Sequence, residues 1–201
     1  MKILTVLPLV AVLAAASPLT AHAQDGIDPT KAKAFDTRMF AGPIGDKASA
    51  CFMRRYDAAH LKQHPKQKVS AMKLLVTAEN RSGEPTSYAY RVGVRFRNRP
   101  GNFDGGNSCG HFVDEDGNKE IRYSCEADCG GGGLEIALSK DNKSSIVRLA
   151  EIAIWDRKHP EGEVEALDGG ADDKVFRLDR VDNRECDELL TKHEEQAALR
   201  Q

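Results

Sequence analysis

Beyond its first 23 residues the chain has no apolar run long enough to cross a bilayer as a helix, which takes about 20 such residues. No cysteine precedes Cys51, which excludes a lipid-anchored cysteine near the start. Helical periodicity is scarce and no internal repeat is visible. Catalytic signatures are also missing. No serine sits in a Gly-x-Ser-x-Gly elbow, and no Glu follows His60 to make a metalloprotease helix. The glycine run 130–133 lacks the Lys-Ser/Thr ending of a phosphate loop and leads into a strand pattern. With 40% hydrophobic and 30% charged residues, the 201-residue chain is too apolar for a disordered one and has the make-up of a globular domain.

The opening residues read as an export signal. Lys2 gives a short positive start, Ile3 to Ala16 is an uncharged apolar run, and Ala21-His22-Ala23 is a small-x-small cleavage pattern. This predicts a signal peptide over 1–23, cleavage before Gln24, and a periplasmic or secreted mature protein without a transmembrane segment. Residues 24–49 hold few large apolar groups and are expected to form a loosely ordered arm. Residues 50–201 are expected to form one β-rich domain.

Within that domain the strongest pattern is Ser87 to Arg97. Tyr88, Tyr90, Val92, Val94 and Phe96 fall on one face, with Arg91, Gly93, Arg95 and Arg97 on the other. Met72, Leu74 and Val76 alternate before it, and Leu134, Ile136 and Leu138 after it. Ile146 to Trp155 is apolar enough to be buried on both faces or bent midway. Val164 to Leu167 and Val175 to Val181 read as the last strands. The fold class predicted is mainly β: an antiparallel β-sandwich or small β-barrel of about eight strands with a C-terminal α-helix. A short helix is expected from the Asp57 cap to Pro65. The long one is expected over 183–199, opened by a capping box of Asp182 and Glu185, with Cys186, Leu189, Leu190, His193 and Ala197 on its inner face.

In an oxidising compartment the cysteines Cys51, Cys109, Cys125, Cys129 and Cys186 are disulfide candidates. A three-residue hairpin loop at Asp116-Gly117-Asn118 sets Val113 opposite Ile121, His111 opposite Tyr123, and Cys109 opposite Cys125. A loop one residue shorter breaks that pairing, and a small Cys125–Cys129 ring competes with it. Cys186 is a candidate partner for Cys51.

The net charge of −2 hides an asymmetry. Residues 51–100 hold eleven basic and three acidic side chains, and residues 101–201 hold thirteen and 24. Ion pairs between interleaved strands account for this in the simplest way. The alternative is an exposed basic face, with Arg91, Arg95 and Arg97 as candidate ligand-binding residues for an anionic partner. Nucleic acid is not expected, since the chain is acidic overall and lacks interleaved stacking aromatics on that face. Asp114, Asp116, Asn118 and Glu120 place four oxygen-bearing side chains at alternate positions, a candidate calcium site or a plain polar hairpin tip. His60 and His64 share one helix face without a third ligand. The expected function is therefore a non-enzymatic binding or accessory module of the cell envelope, facing an unknown envelope protein or an anionic ligand. The alternative is a metal-dependent enzyme or calcium-binding protein using the 114–120 tip. No cofactor other than calcium is suggested.

Overall fold

The structure, a computed structural model, describes residues 27–114, 119–126 and 132–190. The expected signal peptide lies outside them, as do Asp116, Asn118, Cys129 and the 191–199 part of the expected C-terminal helix. The elements run α1 (Pro29–Met39), β1 (Lys47–Arg55), α2 (Ala58–Gln63), β2 (Val69–Glu79), β3 (Ser87–Phe96) and β4 (Phe103–Val113). Then follow β5 (Ile121–Glu126), β6 (Gly133–Leu138), β7 (Ser144–Asp156), β8 (Val164–Asp168), β9 (Val175–Val181) and a 3-10 helix, Asn183–Leu189. No helix among the described residues is long and apolar enough to cross a membrane.

All nine strands join one antiparallel sheet in the order β6-β5-β4-β3-β2-β1-β9-β7-β8, and a further β6–β7 pairing turns it into a ring. Alternation does the sorting. Phe52, Leu74, Val92, Tyr123, Ile136 and Phe176 are all buried inside the ring. β7 is bent midway. Its inward residues shift from Val147 and Leu149 to Ile152 and Ile154, because Ala150 is extra: Leu134 faces Leu149 while Gly133 faces Glu151. The first half of β7 closes the ring between β6 and β9. The second half pairs with β8, an edge strand whose only described neighbour is β7, and its last residues, Trp155 and Asp156, pair with Asp104 and Phe103 of β4. At this bulge Gly133 has φ +128°, and a Cβ there would stand 2.2 Å from the Cys125 carbonyl oxygen. Glycine meets both demands.

The 24–49 segment is not a loose arm throughout. Asp28 caps α1 by accepting from the Thr30 amide at 2.8 Å, and Pro29 begins the first turn. Phe35, Asp36 and Met39 then bury themselves against the ring, and β1 is already under way at Lys47. Arg180 of β9 secures the other end of the helix, donating to the carbonyls of Met39 (2.9 Å) and Arg38 (3.1 Å).

The C-terminal helix expected from 183 is, as far as Leu189, a 3-10 helix rather than an α-helix. Asp182 does cap it, accepting from the Arg184 amide, but Leu190 is extended and ends the coil there. Cys186 is bonded to Cys51, which pulls the segment against the outer wall of β1 and β2 over Leu75 and Val181. Glu188 pairs with Lys73 at 2.7 Å. Gly93 supplies the flat surface on which Leu189 rests, since a Cβ there would stand 2.8 Å from a Leu189 methyl.

Four ion pairs between the two halves of the chain offset part of the charge asymmetry. Arg54–Asp179, Lys68–Asp168, Lys73–Glu188 and Arg99–Glu165 each join the basic segment to the acidic one. Most are exposed and individually weak.

Candidate functional site

The three arginines singled out in β3 and just beyond it do not share a site. Arg91 lines a cavity of about 360 Å³ with Lys47, Ser49, Thr77, Ser108 and Leu190. Arg95 lines a much smaller one, and its Nε donates to Asn102 at 2.7 Å. Arg97 turns one guanidinium nitrogen onto the carbonyls of Leu61, His64, Pro65 and Gln67, at 3.1 to 3.5 Å. It thereby closes the C-terminal end of α2.

At the hairpin tip, Asp114 carries Arg122 at 2.6 Å, and Arg122 also reaches Glu135 at 3.3 Å. Glu120 lines a different cavity with Lys31 and Lys119. His60 and His64 do share a face, but their rings stack at 4.4 Å. Tyr56 extends the stack on the far side of His60, at 4.6 Å. The Gln67 amide nitrogen donates to the Val69 carbonyl, so its oxygen accepts from His60 Nε2 at 3.0 Å. No group of three or more His, Cys, Asp or Glu side chains gathers for a metal ion among the described residues. The cysteines pair as Cys51–Cys186 and Cys109–Cys125, and the β4–β5 register sets Val113 against Ile121 and His111 against Tyr123.

A polar cluster stands beside that second disulfide. Asp36 is 7% exposed. Its Oδ1 accepts from Tyr123 Oη at 2.5 Å and from His111 Nε2 at 2.7 Å, and its Oδ2 accepts from Tyr88 Oη at 2.8 Å. The carboxylate is acceptor-only, so it fixes the proton of His111 on Nε2. Burial pushes the Asp36 carboxyl up, but the hydrogen bonds from His111, Tyr123 and Tyr88 outweigh it and hold the group below the usual carboxylate range. Burial, then the hydrogen bond to Asp36 and its charge, pushes both tyrosine hydroxyls well above theirs, so they stay neutral donors. With Tyr123 wholly buried, this cluster works as a clamp for α1. Sequence reading missed it because Asp36 lay in the supposed arm. The signal was present in Asp28-Pro29, a cap followed by a first-turn proline, with Phe35 and Met39 four apart behind it.

A candidate binding site lies on another side of the ring, between the β8 edge and the segments flanking β2 and β3. It is a cleft of about 340 Å³. Ile154, Leu167 and Phe96 supply apolar wall, and Lys66, Lys68, Arg97 and Arg99 supply positive charge. Pro65 stops α2 and sends Lys66 to Lys68 along the rim. Arg99 lies over the rings of Phe103 (3.9 Å) and Phe96 (4.8 Å) and pairs with Glu165 at 2.7 Å. Lys68 pairs with Asp168 at 3.1 Å. Among the described residues no carboxylate forms an ion pair with the Lys66 ammonium or the Arg97 guanidinium, although the Asp172 carboxylate accepts from the Lys66 backbone amide at 3.1 Å. Arg97 was visible in the sequence as part of a basic face. Lys66 and Arg99 were not singled out, because only the approach of β8 gives them a cleft to line. No protein-family model, curated protein or solved structure matches the chain.

Proposed function

We propose that this is an exported binding module of the cell envelope, periplasmic or secreted, that holds an anionic ligand in the cleft between the β8 edge and the rim at Lys66–Lys68 and Asn98–Arg99. The observation that supports this reading is the presence at the mouth of the cleft of two cationic side chains in no ion pair among the described residues, Lys66 and Arg97, the latter with Nη1 on backbone carbonyls and its other N–H groups in no hydrogen bond among the described residues. An anion there gains Coulomb attraction at lower dielectric than bulk water, and the guanidinium offers it directed N–H donors. The two disulfides fit an oxidising compartment.

Two measurements test this reading. The intact mass of protein recovered from an exporting cell is expected to lack residues 1–23 and to fall four hydrogens short of the reduced chain, two for each disulfide. Recovery of the full 201-residue mass would remove export. For the site, titration with inorganic phosphate followed by amide NMR is expected to move signals of Lys66–Lys68 and Asn98–Arg99. Lys66→Glu is expected to weaken that binding at least about tenfold, because it replaces attraction by repulsion at the mouth. Shifts scattered over the surface, or binding unchanged in Lys66→Glu, would reject the site.

A further inference from the structure

We propose a second anion site, separate from the cleft: a hollow on the outer wall of the ring, over Ala71, that takes one phosphate group, either free or at the end of a larger molecule. Strand register builds it. β2 lies between β1 and β3, and the pairings Arg55–Ala71 and Ala71–Arg95 set the two arginines on one cross-strand row with a single methyl between them. Met72 and Val94, the next residues along, are buried inside the ring, so Ala71 and Arg95 face outward. Strands are spaced about 4.8 Å apart, so the two arginine Cα atoms stand roughly 10 Å from each other, within reach of one point above the alanine for both side chains. The next row carries Met53, Lys73 and Gly93. Arg157 reaches over Gly93, where a Cβ would stand 2.9 Å from its Nη2.

The charges in the hollow are matched at one end only. Its lining includes the cations Arg55, Lys73, Arg95 and Arg157 and the carboxylate of Glu188. Glu188 Oε1 stands 2.7 Å from Lys73 Nζ and 3.8 Å from Arg157 Nη1. Lys73 also donates to the Glu185 carbonyl, so its ammonium is turned toward the 3-10 helix and away from the Ala71 row. Arg157 sets Nε and Nη2 on the Asp104 carboxylate. That end is neutralised. At the other end Arg55 is exposed, and among the described residues its side chain is in no hydrogen bond and no ion pair. Arg95 gives Nε to Asn102 at 2.7 Å, which orients its fork and leaves both amino groups for a ligand. Two guanidinium groups turned to one hollow repel each other, and an oxyanion between them replaces that repulsion with charge-assisted hydrogen bonds to both. A carboxylate has oxygens for one fork, whereas a phosphate has enough for two. Size agrees: at roughly 30 Å³ for each water-sized unit, about 60 Å³ admits one such group and no ring or acyl chain.

The test is amide NMR of the mature protein titrated separately with inorganic phosphate, glycerol 1-phosphate and acetate. Both phosphates are expected to move the signals of Met53, Ala71 and Gly93 as one set, on a binding curve distinct from that of the cleft. Equal binding of the two assigns the end of a larger molecule, and a clear preference for inorganic phosphate assigns the free ion. Acetate is expected to bind this set at least about tenfold more weakly, since it serves one fork only. Arg55→Glu is expected to weaken phosphate binding here at least about tenfold, by setting a negative charge against it. Ala71→Leu keeps every charge and fills the hollow, and is expected to abolish the set. In both variants the Lys66–Lys68 signals are expected to respond as in the unmodified protein, so the two sites stand or fall separately. Phosphate binding unchanged in Ala71→Leu would mean diffuse attraction by surface charge and would overturn the proposal. So would acetate that binds as tightly as phosphate, or phosphate that moves none of the three signals.

Discussion

Replacing Asp36 by alanine is expected to lower the unfolding free energy by about 3 to 5 kcal/mol, because three donors lose their acceptor at once and at least one is wholly buried. Tyr123 is 0% exposed, so its hydroxyl has no water to turn to. His111 and Tyr88 lose the same partner. Asp36 is also the residue through which α1 holds β3, β4 and β5 together, since these three donors sit one on each strand. Asp36→Asn keeps one acceptor oxygen and is expected to cost less. Denaturant midpoints measure both. A change below about 1 kcal/mol for Asp36→Ala would mean that the cluster does not hold the helix. The pH dependence has a definite sign. The folded-state carboxyl is held below its ordinary value of 3.8, so its contribution is fully present above that value and is lost as the pH falls toward the folded-state pKa. The advantage of the native protein over Asp36→Asn is therefore expected to shrink on acidification below about pH 4.

The strands were legible because one face of each is buried and period-two alternation records that directly. Tyr90, Val92 and Val94 face into the ring with Tyr88 and Phe96 packed against them, as the alternation requires, and the Cys109–Cys125 bond occurs at the register that a loop at 116–118 sets. Ring closure was not legible. It depends on β7 bulging at Ala150 and pairing with different strands in its two halves, and an apolar run carries no record of its neighbours. Helix α1 was missed for a related reason. Its buried side is only Phe35, Asp36 and Met39, and one of these is a carboxylate, which reads as solvent-facing until its three donors are in place. At the C-terminus the cap at Asp182 was legible, but the helix type was not. The Cys51–Cys186 bond and the extended Leu190 act through tertiary structure.

The cleft shows the same division between what a sequence records and what a fold assembles. Arg91, Arg95 and Arg97 alternate on one strand face, so they looked like one patch. The fold instead covers Gly93 between the first two with Leu189, directs Arg95 to Asn102, and turns Arg97 to the end of α2. The basic cleft that does form draws Lys66 and Lys68 from before β2, Arg97 and Arg99 from after β3, and its opposite wall from β8. Residues up to about 100 positions apart are needed to build it, as the Lys68–Asp168 pair illustrates.

Removing the Cys51–Cys186 bond by paired alanine substitution is expected to cost about 5 kcal/mol, against about 3 kcal/mol for Cys109–Cys125, if the loss follows the entropy of the loops they close. The sequence separations are 135 and 16 residues. The longer loop contains nearly the whole fold, so cutting it frees the largest number of unfolded conformations. The local consequences differ as well. Without Cys109–Cys125, β4 and β5 remain paired from Gly110 to Val113 and stay covered by α1 through His111 and Tyr123. Without Cys51–Cys186, the 3-10 helix keeps Leu189 and Leu190 on Leu75, Asn183 on Ser49 and Cys51, and the partly exposed Lys73–Glu188 pair. Hydrogen exchange of the 183–190 amides is thus expected to accelerate selectively in the Cys51/Cys186 variant, with the β2–β3 amides slower by comparison. If the Cys109/Cys125 variant is instead the less stable of the two, loop entropy is not the controlling quantity. Strain or packing at the β4–β5 hairpin would then govern, and the Asp36 cluster beside it would be the place to look for the missing energy.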